Sequence, residues 1–295
     1  MRDAFSSVHP GVAFLYFALV ILGTMVFMHP VLLAISLACA AAYSIYLNGM
    51  RAVRFNLLGM VPLLLLFAVM NPVFNHAGVT VLGYVAANPV TLESIVYGVA
   101  SGAMFVSVII WFSCCNAVIN SDKLIFLFGR AAPALSLLLA MVLRLVPRLK
   151  AQARAIAHAQ RGIGCDASSG GVVERARHGL KIISILTSWA LENSIDTADS
   201  MRSRGYGLPG RTSFSTYRFT ARDAALAAVL AACGLVVCAG VGAGASGAVY
   251  FPQLDIAPIT PLSAVVFGAW ALLCLLPLVV DCMEDLTWAR LKSRA

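Results

Sequence analysis

The stretch SIVYGVASGAMFVSVIIWFSCCNAVINS, residues 94–121, carries no charged side chain at any of its 28 positions. A helix that crosses the roughly 30 Å hydrocarbon core of a bilayer needs about 20 predominantly apolar residues. The whole chain of 295 residues is 60% hydrophobic and 12% charged, whereas a soluble domain carries about 25% charged residues. The stretch therefore predicts a transmembrane helix inside a membrane protein.

Charge-free stretches continue on both sides of this segment. They cover 4–50, 55–92, 224–254 and 256–280, and the pair His29-Pro30 divides the first of them into two. Each is long enough for one or two membrane spans. The chain is therefore predicted to be an all-α, polytopic α-helical membrane protein. Its transmembrane helices, about six in number, are expected at about 11–28, 31–48, 56–72, 93–117, 223–245 and 262–281.

The 21 Lys and Arg residues fall on one side of this layout. Fifteen of them lie between Lys123 and Arg222, and the predicted loops near His29, at 73–92 and at 246–261 hold none. Lys and Arg are enriched in cytoplasmic loops. We therefore predict a multi-pass protein of the bacterial plasma (inner) membrane with both termini in the cytoplasm.

Three domains follow from this arrangement. Residues 1–120 form the N-terminal membrane spans, residues 121–222 form a cytoplasmic domain, and residues 223–295 form the C-terminal spans with a basic tail. The middle domain carries 15 basic and 6 acidic residues. This net positive charge favours contact with the anionic lipid of the bilayer surface.

The middle domain is predicted to be helical. A short helix begins at the N-cap pair Ser121-Asp122 and is ended by Gly129. A second helix runs from 134 to 161 with a kink at Pro147, and a third runs from 173 to 203. At 1.5 Å per residue, the two longer helices measure about 42 Å and about 46 Å.

Both long helices end with an Arg followed at once by a Gly. The first ends Gln160-Arg161-Gly162 and the second ends Ser203-Arg204-Gly205. Arg is favoured at a helix C-terminus by the helix dipole, and Gly adopts the left-handed conformation that caps a helix. Capping alone explains either ending. Two such endings on the two longest helices also present two guanidinium groups, which suit bidentate bonds to carboxylates or carbonyls of a partner.

Three stretches resemble signatures of one family of transport proteins. They are ALENSIDTADSMRSRGYG at 190–207, LRLVPR at 143–148 followed by AQRG at 159–162, and NPVFNH at 71–76. They are similar to the transmembrane (T) component of energy-coupling factor (ECF) transporters, the CbiQ/EcfT family. The family's triplets typically read Ala-Arg-Gly. Here Gln160 and Ser203 replace the Ala, while the Arg and the Gly remain.

The resemblance implies a non-catalytic scaffold with long cytoplasmic coupling helices in the segment 121–222. In such proteins the Arg triplets seat in two ABC-type ATPase subunits, and a separate small membrane subunit binds the vitamin or transition-metal ion. No cofactor and no metal ligand are implied for the scaffold itself. The implied ATPase-docking residues are Gln160, Arg161, Gly162, Ser203, Arg204 and Gly205. The implied coupling-helix packing residues are Arg144, Pro147, Arg154, Glu192, Asp196 and Asp199.

The three acids of this set share one helix face, at positions i, i+4 and i+7. One interpretation is a solvated stripe with a local pair between Asp199 and Arg202. The other is pairing with Arg154 or Arg148 on the crossing helix, which would fix the crossing geometry.

Two other classes of membrane protein fit the sequence less well than the scaffold. A lipid or prenyl transferase needs paired acids that hold a metal and pyrophosphate, and Glu192, Asp196 and Asp199 do not have that spacing. A secondary transporter usually places ionisable residues at mid-membrane, whereas Glu93, Asp223 and Asp281 lie at the edges of spans. The sequence lacks a phosphate-binding Gly-Lys-Ser or Gly-Lys-Thr loop. Nucleic-acid binding is not expected, because the basic helices lack interleaved aromatic residues.

Overall fold

The computed structural model describes residues 5–85, 88–165, 171–209 and 217–292. The chain divides into two compact units. The membrane unit comprises Met1–Lys123 and Tyr217–Ala295, and the central unit comprises Leu124–Thr216. The three predicted domains, with boundaries at 120 and 222, stay a prediction.

The membrane unit consists of helices joined by short loops and two small hairpins. A 3-10 turn, Phe5–Ser7, comes first. The helices of this unit are α1 (Pro10–Val26), α2 (Pro30–Asn48), α3 (Met50–Phe55), α4 (Val61–Phe74), α5 (Leu92–Val118), α9 (Ala221–Gly242) and α10 (Pro261–Lys292). The antiparallel hairpins are β1 (Val81–Val85) with β2 (Asn88–Thr91), and β3 (Ala248–Val249) with β4 (Asp255–Ile256). The remaining helices are α6 (Ser121–Ala131), α7 (Pro133–Gly162) and α8 (Val172–Ser203).

The predicted all-α polytopic membrane fold is confirmed. Within the described residues, five helical segments are long and apolar enough to cross a membrane. The remaining predicted span, at about 11–28, corresponds to α1, an apolar helix of 17 residues. The five longer segments are Pro30–Asn48, Ala52–Phe74, Leu92–Val118, Ala221–Gly242 and Pro261–Lys292.

Side chains just before the helices set where the spans begin. His9 and His29 each accept a hydrogen bond through Nδ1 from the backbone N–H two residues ahead, and each is followed by a proline at the first helical position. An N-cap acceptor satisfies a helix-end donor, and proline has no N–H to leave unpaired there. Thr91 caps α5 and Thr220 caps α9 in the same manner.

The core of the membrane unit lies where α5 meets α1 and α2, and where α10 meets α2 and α9. Ser36 on α2 sits at its polar centre. Its Oγ accepts from Trp111 Nε1–H at 3.0 Å and lies 2.8 Å from Thr24 Oγ1 and 3.0 Å from Ser107 Oγ. All four side chains are buried. This chain of bonds joins α1, α2 and α5 without leaving those polar groups unpaired.

The central unit departs from the prediction at its first helix. The sequence predicts that Gly129 ends that helix, but α6 continues through Gly129 to Ala131. The break comes instead at Ala132, whose backbone lies outside the helical region (φ −143°, ψ 81°). A residue that precedes a proline is pushed out of the helical region, so Pro133 sets the boundary. Pro147 lies inside α7, which continues on both sides of it.

Candidate partner-docking site

The two long helices of the central unit, α7 and α8, pack against each other. Protected positions recur every three or four residues along each of them, which defines one face per helix. Trp189 of α8 lies on that face, and the guanidinium carbon of Arg148 on α7 sits 5.8 Å from the centre of its ring. The protected positions on these faces include Leu145, Leu149, Ala153, Ile156 and Gln160 on α7, and Ile182, Leu186, Trp189, Ala190 and Asn193 on α8.

The end of α7 is closed by a glycine, but not by the one expected. Gly162 is the last helical residue, and the left-handed conformation occurs at Gly164, with φ +79°. The Gly164 N–H donates to Arg161 O at 3.0 Å, and the Cys165 N–H donates to Gln160 O at 2.9 Å. These bonds satisfy carbonyls that the helix leaves open. The prediction that Gly162 itself takes the left-handed conformation is wrong.

The end of α8 has the same backbone arrangement. Gly205 is left-handed with φ +79°, as predicted. Its N–H donates to Arg202 O at 3.0 Å, and the Tyr206 N–H donates to Met201 O at 3.0 Å. Gly205 therefore corresponds to Gly164, and Arg202 corresponds to Arg161.

The two triplets consequently occupy different positions on equivalent helix ends. Arg161 lies three residues before its capping glycine, whereas Arg204 lies one residue before its own. The sequence similarity of the triplets hides this offset of two residues. Both triplets are followed by a second glycine two residues on, Gly164 and Gly207, so the spacing of the glycines does not reveal the offset.

The predicted docking residues are mostly on the surface. Arg161, Gly162, Ser203 and Arg204 are exposed, and Gln160 is half-buried. A Cβ placed on Gly162 would meet no atom of the described residues within 4 Å.

The residues predicted to pack between the helices are exposed too. Arg144, Pro147 and Arg154 are exposed on α7. The acids Glu192, Asp196 and Asp199 form an exposed stripe along α8. No ion pair joins these acids to Arg148 or Arg154, all of which lie in the described ranges. Pairing across the helices therefore stays a prediction.

Comparison with known proteins identifies the family. Residues 5–214 match the family model CbiQ, described as cobalt transport protein. The curated relatives below are each named energy-coupling factor transporter transmembrane protein EcfT. The protein from Exiguobacterium sibiricum is 35% identical over 104 residues, which are 35% of this chain and 40% of that protein. The protein from Leuconostoc gelidum is 28% identical over 167 residues, 56% of this chain and 62% of that protein. The protein from Lactobacillus helveticus is 36% identical over 90 residues, 30% of this chain and 32% of that protein.

The matched segments cover less than two thirds of the length of each of these relatives. The family match covers well over half of this chain and confirms the resemblance drawn from the triplets and the NPVFNH stretch. With its apolar spans, the chain is a multi-pass bacterial membrane protein. It belongs to the CbiQ family, whose members are described as cobalt transport proteins.

Proposed function

We propose that this chain is the transmembrane scaffold of an ECF-type ABC importer. In that role it couples ATP hydrolysis by two partner ABC-type ATPases to uptake by a separate, small substrate-binding membrane subunit. The substrate class is a vitamin or a transition-metal ion. The name EcfT carried by the curated relatives supports this assignment.

The observation that carries the proposal is the pair of exposed Arg-Gly ends on α7 and α8. These helices have 30 and 32 residues and are the two longest of the central unit. Arg161 and Arg204 each lie within three residues of a left-handed glycine that closes the helix. A guanidinium fixed near a helix end is suited to a groove lined with carboxylates or carbonyls. We assign these two side chains as the anchors for the ATPases.

The pairing of α7 with α8 supports a role in transmitting force. A helix is stiff along its axis because every turn is hydrogen-bonded to the next. The contact between Arg148 and Trp189 ties the two helices together some way from either docking end. A displacement applied at Arg161 or Arg204 would then move the pair rather than one helix alone.

An exposed apolar stripe on α7 supports a membrane partner. Leu135, Leu138, Val142 and Val146 recur at spacings of three and four residues and are between 42% and 65% exposed. Side chains at that spacing lie on one helix face. We propose that this stripe contributes to the surface for the substrate-binding subunit or for lipid beside it.

The proposed topology places both termini and the central unit in the cytoplasm. The loops that contain the two hairpins hold no Lys or Arg, which favours the outer side for them. A lipid or prenyl transferase remains the less favoured function. Glu192, Asp196 and Asp199 lie on the exposed side of a single helix, instead of converging on a common metal.

The test is affinity purification of the tagged chain from bacterial membranes, with the partners identified by mass spectrometry and assayed for ATP hydrolysis. The wild-type chain is expected to retain two ABC-type ATPases and one small membrane protein. The double variant Arg161→Glu/Arg204→Glu is expected to lose the ATPases and to remain in the membrane, because two attractive contacts become repulsive.

Arg177→Glu provides the matched control. Arg177 is exposed on the same helix as Arg204 but lies near its opposite end. It changes the net charge in the same sense and should leave the ATPases bound. Full retention of the ATPases by the double variant would remove the proposed anchors.

A further inference from the structure

The segment before α1 is packed into the core of the membrane unit. Phe5 is 0% exposed and Val8 is 2% exposed. The Phe5 ring meets the rings of Tyr16 and Phe17 on α1 edge-on, with centroids 5.3 Å and 6.2 Å apart. We call residues 5–9 the strap.

Two buried carboxylates hold the backbone of the strap. The Phe5 N–H donates to Asp281 Oδ1 on α10 at 2.7 Å, and the His9 N–H donates to Asp223 Oδ1 on α9 at 2.9 Å. Asp281 is 1% exposed and Asp223 is 4% exposed. Burying a carboxylate is unfavourable unless it is hydrogen-bonded, and bonds to an ionised acceptor are about twice as strong as neutral ones. These contacts therefore fix the strap to the first turn of α9 and to the C-terminal half of α10.

Asp223 holds a second segment through its other oxygen. The Thr220 N–H and the Thr220 Oγ1–H both donate to Asp223 Oδ2, at 2.9 Å and 2.7 Å. The Phe219 ring lies edge-on to the His9 ring, with centroids 5.4 Å apart. Residues 217–220 are the first part of the membrane unit that follows the central unit along the chain. One buried side chain thus joins the strap to this entry segment.

We propose that Asp223 and Asp281 are positioning residues for energy coupling. By holding the strap, they keep the entry segment 217–220 rigid, so that a displacement of the central unit reaches α9 and α10. An entry segment without these bonds would absorb the displacement by bending. The coupling role rests on the proposed scaffold function, whereas the anchoring of the strap does not.

The test uses the complete complex purified with its ATPases, and it follows amide hydrogen exchange with and without ATP. In the wild-type complex, ATP is expected to change the exchange of residues 221–230 and 281–290. Asp223→Ala is expected to retain the ATPases and their ATP hydrolysis. Its His9 and Thr220 amides should exchange about tenfold faster, the effect expected for one lost charge-assisted bond, and the ATP-dependent change in α9 and α10 should disappear.

Two conservative variants separate positioning from folding. Asp223→Asn keeps an acceptor for the His9 N–H but turns an NH2 group toward the Thr220 donors, so partial rescue is expected. Thr220→Val removes a single hydroxyl bond and should weaken the ATP-dependent change without unfolding the span. The matched control is Glu284→Gln, which breaks the exposed 3.5 Å pair with Arg222, close in sequence to Asp281 and Asp223, and should behave as wild type.

The outcomes are distinct for the two proposals. If the wild-type chain purified without ATPases, the scaffold function would be rejected. Protection of the Phe5 and His9 amides from exchange in the isolated chain would still show whether the strap is anchored. An unchanged response to ATP in Asp223→Ala, Thr220→Val and Asp281→Ala would overturn the positioning role.

Discussion

The Arg148 guanidinium on α7 lies over the indole ring of Trp189 on α8, 5.8 Å from its centre. A guanidinium over an indole face is attracted by the ring quadrupole, by about 0.5–1 kcal/mol at an exposed site. This contact joins the two helices that carry the candidate docking ends.

Arg148→Ala should therefore loosen the pair of helices. We expect about 0.5–1 kcal/mol of local destabilisation, and a smaller loss for Arg148→Lys, since lysine lacks the planar group that stacks. Amide exchange of residues 182–193 measures this. Arg144→Ala, an exposed position one turn away, serves as the control, and equal effects of the two alanine variants would contradict the contact.

The two glycines at the end of α7 should respond to alanine in opposite ways. Gly164 is left-handed, so Gly164→Ala should destabilise the end of the helix by about 1–2 kcal/mol. Gly162 is helical with open space beside it, so Gly162→Ala should be neutral or stabilising by up to about 1 kcal/mol. Thermal unfolding of the purified chain measures both effects.

Gly162→Ala also probes the docking surface directly. Because the substitution costs the fold nothing, a loss of ATPase capture in this variant would report contact between the partner and the bare backbone. We expect ATPase capture to fall although thermal stability is kept. Capture equal to wild type would place the partner away from this glycine.

The hydroxyl of Ser36 should be the most sensitive member of the buried polar chain. It uses its one donor and both acceptor sites on Thr24, Ser107 and Trp111. Ser36→Ala leaves the Trp111 N–H buried without its acceptor, at a cost of about 1–3 kcal/mol. Ser107→Ala removes a terminal member and should cost less. The unfolding temperature in detergent distinguishes the two variants.

His29 should make the stability of the fold dependent on pH. Burial lowers the pKa of its imidazole below the ordinary value of 6.5, with a smaller opposing effect from the backbone of Ala257. The unfolded chain then takes up a proton before the folded chain does as the pH falls. The stabilisation is complete above the ordinary pKa and is lost as the pH drops below it.

Unfolding temperatures at about pH 7.5 and about pH 5.5 test this expectation. The wild type should lose more stability over that range than His29→Asn, because Asn still provides an N-cap acceptor for α2 but does not titrate. Equal losses in the two proteins would show that His29 is not responsible.

The sequence was sufficient to predict the transmembrane helices, because the hydrocarbon core of the bilayer imposes one simple rule on them. A helix such as α5 must carry about 20 residues without charge. A stretch of that length is found simply by reading along the chain. The helix ends near Arg161 and Arg204 could also be predicted, since Gly and Arg are residues that mark a helix C-terminus in the sequence.

The strap could not be found in this manner. Asp223 and Asp281 appear at the edges of spans, where a carboxylate is usually solvated. Their partners are backbone N–H groups of Phe5 and His9, which lie 276 and 214 residues away. Every residue except proline has such an N–H, so nothing in the sequence distinguishes these two. The prediction for the end of α6 was wrong for a different reason: two local signals competed, and Pro133 outweighed Gly129.

The two-residue offset between the triplets makes the two candidate docking ends unlike each other. Along a helix, two residues correspond to a rotation of about 200° and an advance of about 3 Å. A guanidinium at Arg161 and one at Arg204 therefore leave their helices in different directions. The end of α8 also presents Arg202, which is exposed, at the position that Arg161 holds on α7, so the arginines of the two triplets occupy non-equivalent places on helix ends that are otherwise alike.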